Sequence, residues 1–180
     1  IMANGTLKVS NIQTSSGSGT ITLGQSGETI ACSGTLGSGM GKILQVVQGT
    51  KTAQFETSST SFVDSSFSAA LTPASTSNKI LIMCSTSAIH TATTSAGGET
   101  LIKFYDGTTA IGDEYQVAKS RQDGSYNQEV GGGGTAMFLY SPSSTSEVTI
   151  NVYVRITNGS NGRICQSGHG GTITLMEVAG

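Results

Sequence analysis

The chain has 180 residues, 25 of them glycine, with 9 Lys and Arg against 11 Asp and Glu and charged residues at only 11%. That length holds one domain, or one domain with an appendage, and the scattered cations exclude a phosphate-binding surface, which needs them clustered. Ser and Thr exceed a quarter of the chain, and Ile and Val are plentiful, which excludes disorder, because disordered chains avoid β-branched residues and carry high net charge.

A surface solvated by hydroxyls fits an extracellular or virion structural protein better than a cytosolic enzyme. No stretch approaches the roughly 18 apolar residues of a membrane span, so no membrane insertion is expected. No secretory signal is read at the start. Met2 after Ile1 is taken as the natural start, so export is expected by another route, such as release inside a virus particle.

Residues 3–13, ANGTLKVSNIQ, alternate Leu7 and Val9 with Thr6, Lys8 and Ser10, the pattern of one half-buried strand. Residues 1–16 are therefore read as an attachment strand. Residues 17–41 follow as short apolar pairs, Ile21 with Leu23 and Ile30 with Cys32, spaced by glycines. Each unit is too short to bury a face within its own chain. Such units must stack on their own repeats or on other chains, and the segment reads as a glycine-rich β stalk. The competing reading is a flexible linker.

From Lys42 the pattern changes. KILQVVQGTKTAQF reads as a hairpin turning at Gly49–Lys51. SFVDSSFSAALTP carries Phe62, Val63 and Phe67 to a stop at Pro73, and a Ser/Thr-rich loop follows. Residues 78–91 form the first strongly apolar strand. Its continuous run Ile80–Cys84 predicts burial on both faces. Leu101–Tyr105 and Ile111–Val117 flank Asp106-Gly107, a strong turn signal. RQDGSYNQEVGGGG, residues 121–134, is the most polar segment and reads as an exposed loop. TAMFLYS resumes as a strand. In EVTINVYVRITN the residues Val148, Ile150, Val152, Val154 and Ile156 alternate cleanly with polar neighbours. SNGRICQSGHGG reads as a second loop, and TITLMEV closes the sheet through Ile173, Leu175 and Val178. No segment has a helical period. Residues 42–180 thus predict eight to ten strands, a sandwich or jelly roll.

The chemistry is sparse. His90 and His169 have no companion ligands in sequence, so neither a zinc site nor any cofactor is expected. Cys32, Cys84 and Cys165 lie far apart without a CxxC and read as buried thiols. The glycine runs lack the Lys-Ser/Thr of a phosphate loop, and no serine lies in GxSxG. The adjacent pair Asp113-Glu114 and the loop residues Asp106, Asp123 and Glu129 are the carboxylates weighed for glycosidic chemistry. The absence of Trp weakens that reading, so no catalytic residue is assigned and no enzyme is expected. Arg121, Gln122, Asp123, Tyr126 and Asn127 form the candidate receptor-contact loop, since a ring with amides and a carboxylate suits sugar or protein hydroxyls.

MANGTLKVSNIQTSSGSGTITLGQSGETI resembles the N-terminal part of fibre-like structural proteins of tailed bacteriophages, particularly marine and cyanobacterial ones. GKILQVVQGTK with TSSTSFVDSSFSAALTPASTSNKILIMCSTS resembles the start of the head that follows such stalks, and GGTITLMEVAG the way such heads end. The resemblance implies a homotrimer with a β stalk and a β-sandwich head, placed in a tail fibre or on the capsid and helping to bind the host surface. It carries no site motif. The expected fold is therefore all-β: a glycine-rich N-terminal stalk, residues 17–41, then an antiparallel, jelly-roll-like β-sandwich head, residues 42–180. The expected partners are two further copies, other virion proteins through residues 1–16, and a host glycan or protein. The rival readings are a capsid decoration protein that stabilises the shell and a secreted carbohydrate-binding domain.

Overall fold

A computed structural model describes residues 43–92, 97–120, 128–158, 161–166 and 168–180. The chain divides into two units, Ile1–Met40 and Gly41–Gly180, and every described residue belongs to the second. The attachment strand, the stalk, Cys32 and the contact loop Arg121–Asn127 lie outside the described residues.

The described residues hold ten strands and no helix: β1 (Ile43–Lys51), β2 (Phe55–Thr57), β3 (Val63–Leu71), β4 (Lys79–Ala92), β5 (Gly98–Asp106), β6 (Thr109–Ser120), β7 (Gln128–Tyr140), β8 (Val148–Ile156), β9 (Asn161–Ile164) and β10 (Gly171–Val178). All pair antiparallel, so the fold is the expected all-β sandwich. β4 is the spine of the larger, six-stranded sheet. β7 pairs along one side of it, from Ile80↔Tyr140 to Ala92↔Gln128. On the other side β10 covers Lys79–Ser85 and β9 covers Ala88–Thr91. β1 extends the sheet from β10, and β2 extends it from β9. The smaller sheet runs β3–β8–β5–β6.

The core follows from period-2 alternation. β8 sends Val148, Ile150, Val152, Val154 and Ile156 inward, all nearly inaccessible. Against them lie Ile80, Ile82 and Cys84 of β4, Ile173 and Leu175 of β10, and Phe67 and Phe104. Each such side chain contributes roughly 1.5–3 kcal/mol by leaving water. Truncating Phe104 to Ala would forfeit about 3–5 kcal/mol, since the space would not close.

The pairings give the sandwich two ends. At the base, Ile43 pairs with Val178 and Ile80 with Tyr140, whose hydroxyl donates to Asp106 of the other sheet. At the tip, Ala92 pairs with Gln128, Gly98 with Ser120 and Thr100 with Ile156. The 14 residues of β4 join the two ends, a span of about 43 Å at ~3.3 Å per residue.

Four local expectations change. Gly49–Lys51 is no turn: β1 runs straight through it, and β2 pairs with β9 rather than with β1. Gly131–Gly134 is strand, not loop, and pairs with Ile89–Thr86. The reason is close approach: a Cβ at Gly134 would stand 2.8 Å from a Val117 methyl, and one at Gly132 would stand 3.3 Å from the Val117 carbonyl oxygen. Glycine lets β6 lie over β7. Within the loop expected after Asn158, Asn161–Ile164 forms β9. At the end of the chain Glu177, not Val178, faces inward.

Candidate functional site: the loop end of the sandwich

The strand ends that meet at the tip include the end of β4 and start of β5, the end of β6 and start of β7, and the end of β8 and start of β9, beside the end of β2 and start of β3. The connections 93–97, 121–127 and 157–160 therefore all leave from one end. Of the candidate contact residues, Arg121, Gln122, Asp123, Tyr126 and Asn127 belong to the second of these connections. Its two anchors, Ser120 and Gln128, are placed at the tip. The sequence did not show that three connections would share that end, because this depends on long-range pairing.

Beneath them lies a buried polar floor. His90 is fully buried on β4. Its Nδ1 lies 3.2 Å from Thr100 Oγ1, and the Thr100 hydroxyl donates to the Ile89 carbonyl at 3.0 Å. With that hydroxyl hydrogen committed, Nδ1 carries the ring proton. The other edge of the ring faces the Asn158 backbone, and burial holds the imidazole below its ordinary value despite Asn158 and Glu99. The floor is tight. A Cβ at Gly98 would overlap the Asn158 carbonyl oxygen and stand 2.6 Å from His90 Nε2. Ser120, also buried, accepts from the Gly98 N–H at 3.4 Å.

Ion pairs tie the strand ends together at the rim. Lys119 meets Glu99 at 2.5 Å, bridging β6 to β5. Arg163 reaches Glu56 at 2.8 Å and Glu129 at 2.5 Å, linking β9 to β2 and β7. The hydrogen bond that Arg163 donates to Glu56, with the charge of both carboxylates, raises the guanidinium further and keeps it charged. The rim is thus held by paired charges.

The outward face of the smaller sheet carries a second group. Tyr105 and Tyr153 stack with centroids 3.9 Å apart, Phe62 leans on Tyr105 at 6.2 Å, and Arg155 lies 5.2 Å over the Phe62 ring while pairing with Glu114 at 2.6 Å. Sequence reading missed this cluster. Tyr105 and Tyr153 show as outward positions of their own strands, but only the register Lys103↔Tyr153 and Tyr105↔Asn151 brings them together.

Of the weighed carboxylates, Asp123 lies outside the described residues, and three of the others have partners of their own. Asp106 accepts from Tyr140 at 2.7 Å, and Glu114 and Glu129 are taken by arginines. Among the described residues no group of three or more His, Cys, Asp or Glu side chains could hold a metal. Cys84 and Cys165 are buried free thiols. Burial, then the neighbouring Cys165, pushes Cys84 up to about 12, and burial raises Cys165 as well.

No family model matches the chain, and no curated protein matches it in sequence. Among solved structures the chain is similar to VP2 of the infectious bursal disease virus subviral particle, at 14% identity over 75% of this chain and 38% of that one, with a TM-score of 0.32. It is also similar to a chain of the T13 infectious bursal disease virus particle, at 12% identity over 75% of this chain and 36% of that one, with a TM-score of 0.33. The chain spans little more than a third of the length of either.

Proposed function

We propose that the protein is a non-enzymatic virion structural protein, a homotrimeric fibre subunit of a phage tail or capsid that contributes to host-surface attachment. The observation that carries this reading is the polarity of the sandwich. Ile43, which follows residues 1–42, lies at the base, and the three connections leave from the opposite end. The described chain enters the sandwich at its base, and the segment holding the candidate contact residues is anchored by Ser120 and Gln128 at the opposite end. The charge-poor, hydroxyl-rich composition and the resemblance to phage fibre proteins support the same reading. Adhesion would be multivalent: three weak sites on one fibre add through effective concentration. The contact is a host glycan or protein met by Tyr126, Asn127 and the polar residues Arg121–Asp123.

The test is adsorption of particles carrying Tyr126→Ala with Asn127→Ala. The expected result is a loss of about tenfold or more in host-cell adsorption, the scale at which multivalency amplifies a weakened site, with unchanged subunit mass. Adsorption equal to that of the parent particle would remove this loop from the account.

A further inference from the structure

The outward face of the six-stranded sheet changes chemistry along its length. Near its middle, one register row reads Thr50–Thr172–Ser85–Thr135 across β1, β10, β4 and β7. Two rows nearer the base, the same four strands present Val46–Met176–Leu81–Leu139. The row between them is mixed, Gln48–Thr174–Met83–Met137. β4 and β7 thus turn apolar one row before β1 and β10 do. Of the large apolar side chains exposed among the described residues, all but Val63 lie on β1 and β7, with Val46 at 56%, Met137 at 51% and Leu139 at 49%.

A solvated antiparallel sheet shows polar side chains outward. The continuous apolar run Ile80–Cys84 is instead the pattern of a strand covered on both faces, yet only its inner side is fully covered within the sandwich: Ile80, Ile82 and Cys84 are inaccessible, while Leu81 and Met83 stay partly exposed. The pattern and the fold agree only if something further lies on this face. Six apolar positions, four in one row and two in the next, at ~4.8 Å by ~6.8 Å each make an apolar area of about 200 Å², bordered by the amide of Gln48 and the hydroxyls of Thr174 and the Thr50 row.

We propose that the base half of this face is a contact between copies of this chain. The proposal rests on the homotrimer read above for the presence of further copies, and it names the surface the heads share. The charge pattern selects the occupant. A patch repeated on identical subunits must tolerate itself, and this one carries no charge inside its rows, with Lys79 only at its margin beside Val178. Apolar and methionine-rich at the centre, with amides, hydroxyls and the single Lys79 at the rim, it has the make-up of an interface core. The smaller sheet differs: its outward face holds the Arg155–Glu114 pair and the tyrosine stack.

The test compares the full chain with V46K/L139K and, separately, with I21D/L23D in the stalk, by light scattering across a concentration series. Val46 and Leu139 are about half exposed, so lysine there leaves the inner packing intact, which β-sheet circular dichroism checks. The expected result is a discrete oligomer for the wild type and a dissociation midpoint raised about 100-fold or more for V46K/L139K, since two charges are forced into an apolar contact. A V46K/L139K chain that keeps the wild-type mass overturns the interface, and if I21D/L23D alone dissociates, the stalk reading stands without it. Dissociation of V46K/L139K with an intact I21D/L23D oligomer supports the interface and removes the stalk as the assembling element. A monomeric wild type overturns both.

Discussion

Two buried titratable residues set the acid response of the sandwich, one at each end. Glu177 is fully buried at the base, where burial alone would raise its carboxyl. Hydrogen bonds from Asn78 at 2.6 Å, Gln45 at 2.7 Å and the Ala74 N–H at 2.6 Å outweigh that and hold it below 4.5. A depressed carboxylate stabilises the fold above its unfolded value and loses that contribution as pH falls through its folded value. His90 is neutral and buried, with its pKa held below 6.5, so the unfolded chain takes up a proton first and stability falls once pH drops under 6.5. Urea midpoints should therefore decline in two windows, one below pH 6.5 and one below pH 4.5. His90→Gln should flatten the first and Glu177→Gln the second. Glu177→Gln should also cost about 1.5–3 kcal/mol at pH 7, the worth of hydrogen bonds to a charged group. A wild type with a flat profile from pH 7.5 to 5.5 would count against the buried neutral imidazole. Neither role is legible in sequence. Glu177 sits in an ordinary alternating strand, and its three donors come from positions up to 132 residues away.

At the scale of the strand, legibility depends on side chains that carry a pattern. β8 was readable residue by residue because its five inward positions are all β-branched and its outward ones polar. Gly131–Gly134 has no side chains to alternate, so its strand came only from pairing with β4 and from β6 lying over it. Gly134→Val should cost about 1–3 kcal/mol by overpacking against Val117. Gly131→Val, with nothing within 4 Å of its Cβ, should be neutral or stabilising by up to about 1 kcal/mol, since glycine weakens a strand. Equal urea midpoints for both variants would contradict the strand. β3 hides a different irregularity. Between Asp64 and Phe67 the register shifts, Ser66 takes φ 56°, and the Asp64 carboxylate accepts the Ser66 N–H at 2.8 Å. That bulge returns Phe67 to the core face, which strict alternation from Val63 also predicts, so the inserted step left no trace in the hydrophobic pattern.

At the scale of the molecule, the sandwich class was legible from turn spacing and alternation. The partition of its surfaces was not. The contact loop was chosen for its composition alone, and its place beside two other connections is a product of topology. The apolar run of β4 reads as a strand buried on both faces, but within the sandwich only Ile80, Ile82 and Cys84 are inaccessible, while the outward Leu81 and Met83 stay partly exposed. Sequence periodicity reports that a side chain is to be buried; it does not report by which chain.

The two-ended layout also has a mechanical consequence. A pull between the base and the tip runs parallel to the strands, while antiparallel hydrogen bonds run across them. Such a load shears many bonds at once. A pull between Ile43 and Gly180, which both sit at the base with Ile43 paired to Val178, peels β1 from β10 one bond at a time. In single-molecule extension, tethers at residues 43 and 124 should therefore rupture at a force several times that for tethers at 43 and 180. Equal forces would mean that strand direction does not carry the load. A sandwich built this way is strongest along the line from its base to its tip.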